Sequence, residues 1–167
     1  MKLFLSVVGF SFLLLTQQIF AAAEPLTATL EAHKVVVVAN GKEMLVAAAE
    51  AKPGDVLEYR ATYRNVSQKP LRAVMATLPV PSSGVEYLPN TASPAGVEAS
   101  INGAQFAPAP LKRLVTTADG KPQQQLVPTS EYRFLRWPLG DLPAGASKTV
   151  SARVRVTKEP VLTTGAK

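Results

Sequence analysis

Residues 53 to 65, PGDVLEYRATYRN, constrain this chain most, because they declare a β-strand, the face it buries and the turn that starts it. Pro53-Gly54 is a turn pair. Leu57, Tyr59, Ala61 and Tyr63 then alternate with Glu58, Arg60, Thr62 and Arg64, the period of two that gives a sheet one dry face and one wet face. The same logic returns near the C-terminus in ASKTVSARVRV, where Val150, Ala152, Val154 and Val156 alternate with Thr149, Ser151, Arg153 and Arg155. No long helical stripe competes with these signals, and 14 prolines and 10 glycines punctuate the chain, so the pattern predicts an all-β fold.

Further strands follow by the same reading. Leu26, Ala28, Leu30 and Ala32 alternate with Thr27, Thr29, Glu31 and His33, and Val35 to Val38 reads as a buried continuation. Asn40-Gly41 stands between that run and Met44-Leu45-Val46, a hairpin signal because both turn residues tolerate positive φ. Leu71 to Val80 is a strand stopped by Pro79 and Pro81. Val97, Ala99 and Ile101 alternate with Glu98, Ser100 and Asn102 before the turn at Asn102-Gly103. Residues 102–130 carry Pro108, Pro110, Pro122 and Pro128 and little periodicity, with Asp119-Gly120 placed to close a small hairpin. A long irregular connection of this kind is either functional or mobile. EYRFLRWPLG, the turn DLPAG and the final strand complete roughly seven to nine strands at the regular spacing of an immunoglobulin-like sandwich.

The first 23 residues predict a compartment. Lys2, an apolar run from Leu3 to Leu15 and the small residues Ala21-Ala22-Ala23 before Glu24 have the form of a cleaved signal peptide. The competing reading, an uncleaved anchor, is disfavoured because Thr16, Gln17 and Gln18 interrupt the run short of the roughly 20 apolar residues a spanning helix needs. No later stretch is apolar enough to cross a membrane. The organisation expected is a signal peptide at 1–23, one immunoglobulin-like domain at 24–158 and a frayed tail at 159–167. With no cysteine in the chain, neither a disulfide framework nor a lipid-attachment thiol is available, and the core alone must hold the domain together.

Four blocks, in order PGDVLEYRATYRN, TLPVPSSGVEYLPNTASPAG, VEASINGAQFAPAPL and EYRFLRWPLGDLPAGASKTVSARVRV, resemble the bacterial conserved-repeat family of immunoglobulin-like domains known as the domain of unknown function number eleven. The resemblance covers about residues 30 to 157 and rests on structural turns and core positions, so it speaks to fold and hardly to mechanism. It implies an exported or surface-attached protein of a bacterial envelope. Many members carry an Asp just before the Leu-Pro of the second block, where this chain has Ala76 and Thr77 before Leu78-Pro79. Members also occur in tandem arrays, and the single copy here argues against a long stalk built from this chain alone.

Little in the sequence points to catalysis. His33 is the sole histidine, two residues from Glu31, and no further ligand joins the pair, whereas zinc and catalytic sites need three or more converging groups. No G-x-S-x-G elbow and no glycine-rich phosphate loop occurs. Asp55, Asp119 and Asp141 sit at separate predicted turns, which favours solvated turn residues over a calcium site. Asn65 reads as a turn residue bonding nearby backbone, although N-V-S formally matches a glycosylation acceptor. Trp137 reads as the large core aromatic, its ring nitrogen bonded to backbone. The expectation is a protein that is not an enzyme and takes no cofactor or metal.

Removing residues 1–23 takes away Lys2 and leaves 17 Lys plus Arg against 12 Asp plus Glu, a net of +5. The basic residues are dispersed and no nucleic-acid motif accompanies them. The expected partner is therefore a protein or an anionic envelope polymer and not a nucleic acid, and the expected location is periplasmic or secreted. Two functions follow: a non-catalytic structural or protein-interaction module, or a small-ligand or carbohydrate-binding sandwich using residues 102–130. For the interaction module, an immunoglobulin-like order places the EYRFLRW strand beside the final strand. That order puts Tyr132, Phe134 and Arg136 on one outer face with Arg153 and Arg155, aromatics beside arginines as at protein interfaces.

Overall fold

The computed structural model describes residues 24–158; the signal-peptide and tail readings lie outside the described residues. The described chain is nearly all strand: β1 (Leu26–Val37), β2 (Glu43–Ala47), β3 (Val56–Asn65), β4 (Leu71–Pro79), β5 (Val85–Tyr87), β6 (Glu98–Ser100), β7 (Ala107–Pro108), β8 (Lys112–Thr116), β9 (Pro122–Leu126), β10 (Phe134–Leu142) and β11 (Ser147–Val156). Two short 3-10 turns are the only helical elements among the described residues. All pairings are antiparallel, in a five-stranded sheet β2-β1-β3-β11-β5, a four-stranded sheet β4-β10-β6-β7 and the β8-β9 hairpin.

The inner faces of the two larger sheets share one core. Leu57, Ala61 and Tyr63 of β3 and Val150, Ala152 and Val154 of β11 are buried, and Val74, Ala76 and Leu78 of β4 with Leu135, Trp137 and Leu139 of β10 are buried in the same cluster. This is the expected alternation at work, since paired residues lie on the same face: Ala61 stands between Leu30 and Val150, and Leu57 between Lys34 and Val154. Trp137 is 2% exposed and its Nε1–H donates to Pro94 O at 2.8 Å.

The turn readings hold where backbone chemistry demanded them. Asn40 and Gly41 both take φ +73 in the β1–β2 turn. Gly120 N–H donates to Thr117 O (2.9 Å) and closes the β8–β9 hairpin. Residues 102–130, read as irregular, therefore hold three short strands, and the total is eleven where seven to nine were expected.

Three expectations fail. Val35 to Val38 is not buried: Val37 is 69% exposed, because alternation puts it with His33 and Val35 on the outer face of the five-stranded sheet, away from the facing sheet. Glu58 on the wet face is only 7% exposed, roofed by charged side chains. The final strand is not beside EYRFLRW; β11 lies between β3 and β5 in the other sheet. At the corner where the chain passes from β10 to β11 stands Asn65, which is fully buried. The Asn65 side-chain amide donates to Leu142 O (2.9 Å) and Lys69 O (2.7 Å), its main-chain N–H donates to Ala146 O (3.0 Å), and its C=O accepts from Gly145 N–H (3.0 Å). The main-chain bonds extend the β3–β11 ladder by one rung, and the side-chain bonds tie the end of β10 to the same point, so the β10–β11 corner is pinned to the end of β3.

Candidate functional site

The five residues expected on one outer face divide among three places. Tyr132 lies ahead of β10 at the end of a 3-10 turn and is 1% exposed. Its ring stacks on Tyr87 at 5.8 Å between centroids, and its hydroxyl accepts from Leu111 N–H at 2.7 Å. Phe134 and Arg136 point outward from the four-stranded sheet. Arg136 holds Glu98 Oε2 with Nε and Nη2 (3.0 and 2.7 Å), and its guanidinium lies 3.8 Å above the Phe106 ring. Arg153 and Arg155 point outward from the opposite sheet. No shared face exists, because the alternation that orders residues within a strand says nothing about which sheet the next strand joins.

On the outer face of the five-stranded sheet, Arg153 closes an ionic cluster. Glu58 lies in register between His33 on β1 and Arg153 on β11. Its carboxylate takes Arg60 Nε at 2.8 Å and Arg153 Nε at 3.1 Å, while Arg153 Nη2 reaches Glu43 of β2 at 2.7 Å. Burial pushes the Glu58 carboxyl up, but the hydrogen bonds from Arg60 and Arg153 outweigh it and hold the group below its ordinary range. Glu43 first, and Glu58 after the opposing effect of burial, raise Arg153 above its own. His33 Nε2 lies 3.9 Å from Glu31, and its buried Nδ1 has no partner. Glu43 and Glu58 are each matched by arginine, an ionic clamp that ties β2, β3 and β11 together on this face.

The turn aspartates stay apart. Asp55 bonds Lys34 Nζ (2.7 Å), Asp141 bonds Arg72 (3.1 Å), and Asp119 accepts from the Thr117 hydroxyl with Lys121 at 3.6 Å. Among the described residues no three His, Cys, Asp or Glu side chains stand together to hold a metal.

A groove of about 680 Å³ lies at one end of the molecule, between the inner face of β1 and the β4–β10 end of the facing sheet. Leu30, Ala32, Tyr59, Val80, Ile101 and Phe134 form most of its apolar wall. Burial raises the Tyr59 hydroxyl above its usual pKa. Arg133 borders the groove but spends Nη1 on Ser130 O and Tyr132 O. The groove exists because β1 projects past the four-stranded sheet, leaving Leu30 55% exposed on a nominally inner face. The edge beside it is also open. Val66 N–H donates to Pro25 O (2.9 Å), which sets the phase of the β1–β3 ladder, so Ala28, Leu30 and Ala32 turn N–H and C=O away from β3. β2 pairs only with residues 33–37 and leaves those groups uncovered. Sequence reasoning missed this site; the signal was present in Leu30 and Tyr59, but nothing in one strand tells how far the opposite sheet extends.

A second cavity, about 360 Å³, lies beneath Ala109, Pro110 and Thr129 with Tyr87 and Tyr132 behind them. Comparison with family models, with curated proteins and with solved structures finds no match to this chain.

Proposed function

We propose that this chain is a non-catalytic, exported interaction module of a bacterial cell envelope, an immunoglobulin-like sandwich that docks an extended polypeptide segment of a protein partner along the β1 groove. The observation carrying this reading is the juxtaposition of an apolar groove with free main-chain donors and acceptors at Ala28, Leu30 and Ala32. An added strand gains its affinity from such main-chain bonds and its specificity from alternate side chains seated in the groove. The bacterial envelope setting rests on the N-terminal pattern and on the family resemblance, and release from the membrane fits with the described residues having no helix long and apolar enough to cross one. Direct photocrosslinking from position 30 in an exporting bacterium tests the reading. A crosslinker at Leu30 should trap one envelope protein, lost on adding Ala32→Arg, while a crosslinker at Leu114, 72% exposed on the separate hairpin, should not. Equal labelling from both positions overturns it.

The alternative, small-ligand or carbohydrate binding through residues 102–130, is supported by the smaller cavity that Ala109, Pro110 and Thr129 line. Its tyrosines stack on each other and are 2% and 1% exposed, so neither offers a free ring to a sugar.

A further inference from the structure

The long edges of the two sheets are finished differently. On β4, Val80 N–H donates to Arg133 O (2.8 Å), so Met75, Thr77 and Pro79 face the open side. Pro79 has no N–H to offer, and Thr77 is occupied at both groups by Tyr63 (2.7 and 2.9 Å). Such devices discourage a second chain from pairing. β2 has none of them. Val38 N–H donates to Lys42 O (2.8 Å), which phases the β1–β2 ladder so that Glu43, Leu45 and Ala47 turn their main-chain groups outward, and among the described residues these groups have no partner. Met44 and Val46, on the opposite side of the strand from those side chains, are 47% and 36% exposed.

We propose that β2 is the pairing edge for a second copy of this chain, in an antiparallel two-fold centred on Leu45. The strand is complementary to itself in that register. Leu45 meets the partner's Leu45, and Glu43 and Ala47 meet the partner's Ala47 and Glu43, so that every outward main-chain group finds a bond. Met44 lies against the partner's Val46, and Val46 against the partner's Met44, in the closer, non-hydrogen-bonded positions, where apolar pairs contribute most. No carboxylate faces another. Glu43 stands opposite an alanine and is already held by Arg153 at 2.7 Å. A pairing of this length is small beside the roughly 1,200–2,000 Å² of stable interfaces, so the dimer assembles and dissociates with concentration.

Sedimentation equilibrium over a roughly hundredfold concentration range, on protein purified from cells expressing the whole chain, should follow a monomer–dimer equilibrium. Met44→Lys with Val46→Lys should weaken association by about tenfold or more, and mixing that variant with Met44→Glu/Val46→Glu should restore a mixed dimer. Leu45→Cys, in a chain with no other cysteine, should oxidise to a covalent dimer faster than Met44→Cys or Leu114→Cys, since only the residue on the axis faces its own copy. Crosslinking at 45 decides the matter even if the lysine variant fails to fold. A monomer at every concentration, or a dimer that crosslinks no faster at 45 than at 114, overturns the proposal.

Discussion

The hydroxyl of Tyr63 on β3 donates to Thr77 C=O at 2.7 Å and accepts from Thr77 N–H at 2.9 Å, so one side chain from the first sheet stands where a neighbouring strand would stand beside the second. The strand it seals reads AVMATL without a charge between Arg72 and Pro79, the composition that invites edge-to-edge pairing. Tyr63→Phe keeps the ring in the core and removes only this bridge. The expected cost is about 1–3 kcal/mol, that of leaving two main-chain groups unpaired, together with faster aggregation. Urea titration and light scattering check it, and a variant as stable and as soluble as the parent would show that water replaces the hydroxyl without loss.

Asn65 joins three segments, and its Oδ1 also accepts from Ser67 N–H (3.0 Å) and Ser67 Oγ (2.7 Å). Asn65→Ala is expected to destabilise by roughly 2–4 kcal/mol, since several buried carbonyl and amide groups lose a partner at about 1–3 kcal/mol each. The same burial predicts that no glycan is added at Asn65 when the folded protein meets a glycosylating enzyme, which an intact-mass measurement reads directly.

Glu58 makes part of the stability depend on acid. Its carboxyl sits below the ordinary value of 4.5, so its contribution is fully present above that value and is lost as pH falls through the lower folded one. Asp55 and Asp119 are lowered too, by hydrogen bonds from Lys34 and Thr117 first. Glu58→Gln should therefore shrink the acid limb of a stability–pH profile below about pH 4.5 without abolishing it, and cost about 1–3 kcal/mol at neutral pH through the lost charged hydrogen bonds. An unchanged acid limb would assign that limb to other groups.

Gly103 takes φ +76, and a Cβ there would lie 2.9 Å from Phe134 Cε2. Gly103→Ala should cost roughly 1–2 kcal/mol for the left-handed backbone alone and displace the Phe134 ring that lines the groove. Thermal unfolding and the aromatic proton signals of Phe134 test the two effects separately.

Within single strands the sequence was legible. The alternation of Leu57, Ala61 and Tyr63 on β3 and of Val150, Ala152 and Val154 on β11 puts these side chains in the core, because a two-residue period leaves a strand only two faces. Turn chemistry was equally local: Asn40-Gly41 and Asp119-Gly120 stand where the hairpins close. Glu58 and Tyr59 show where the reading thins. Alternation assigns their faces correctly, yet the charged residue is buried and the tyrosine only half so, because exposure also depends on what the neighbouring strands lay over each face.

By itself, then, the chain determined that it folds as β-strands, where most of them turn and which side of each is apolar, all consequences of backbone geometry within a few residues. Sheet membership belonged to the tertiary structure. Whether β11 pairs with β10 or with β3 is settled by a ladder between segments some 80 residues apart, at whose end Asn65 holds the β10–β11 corner, and whether Leu30 is core or groove turns on where the opposing sheet ends. Both are decided by contacts between distant segments, and no periodicity within a strand records them.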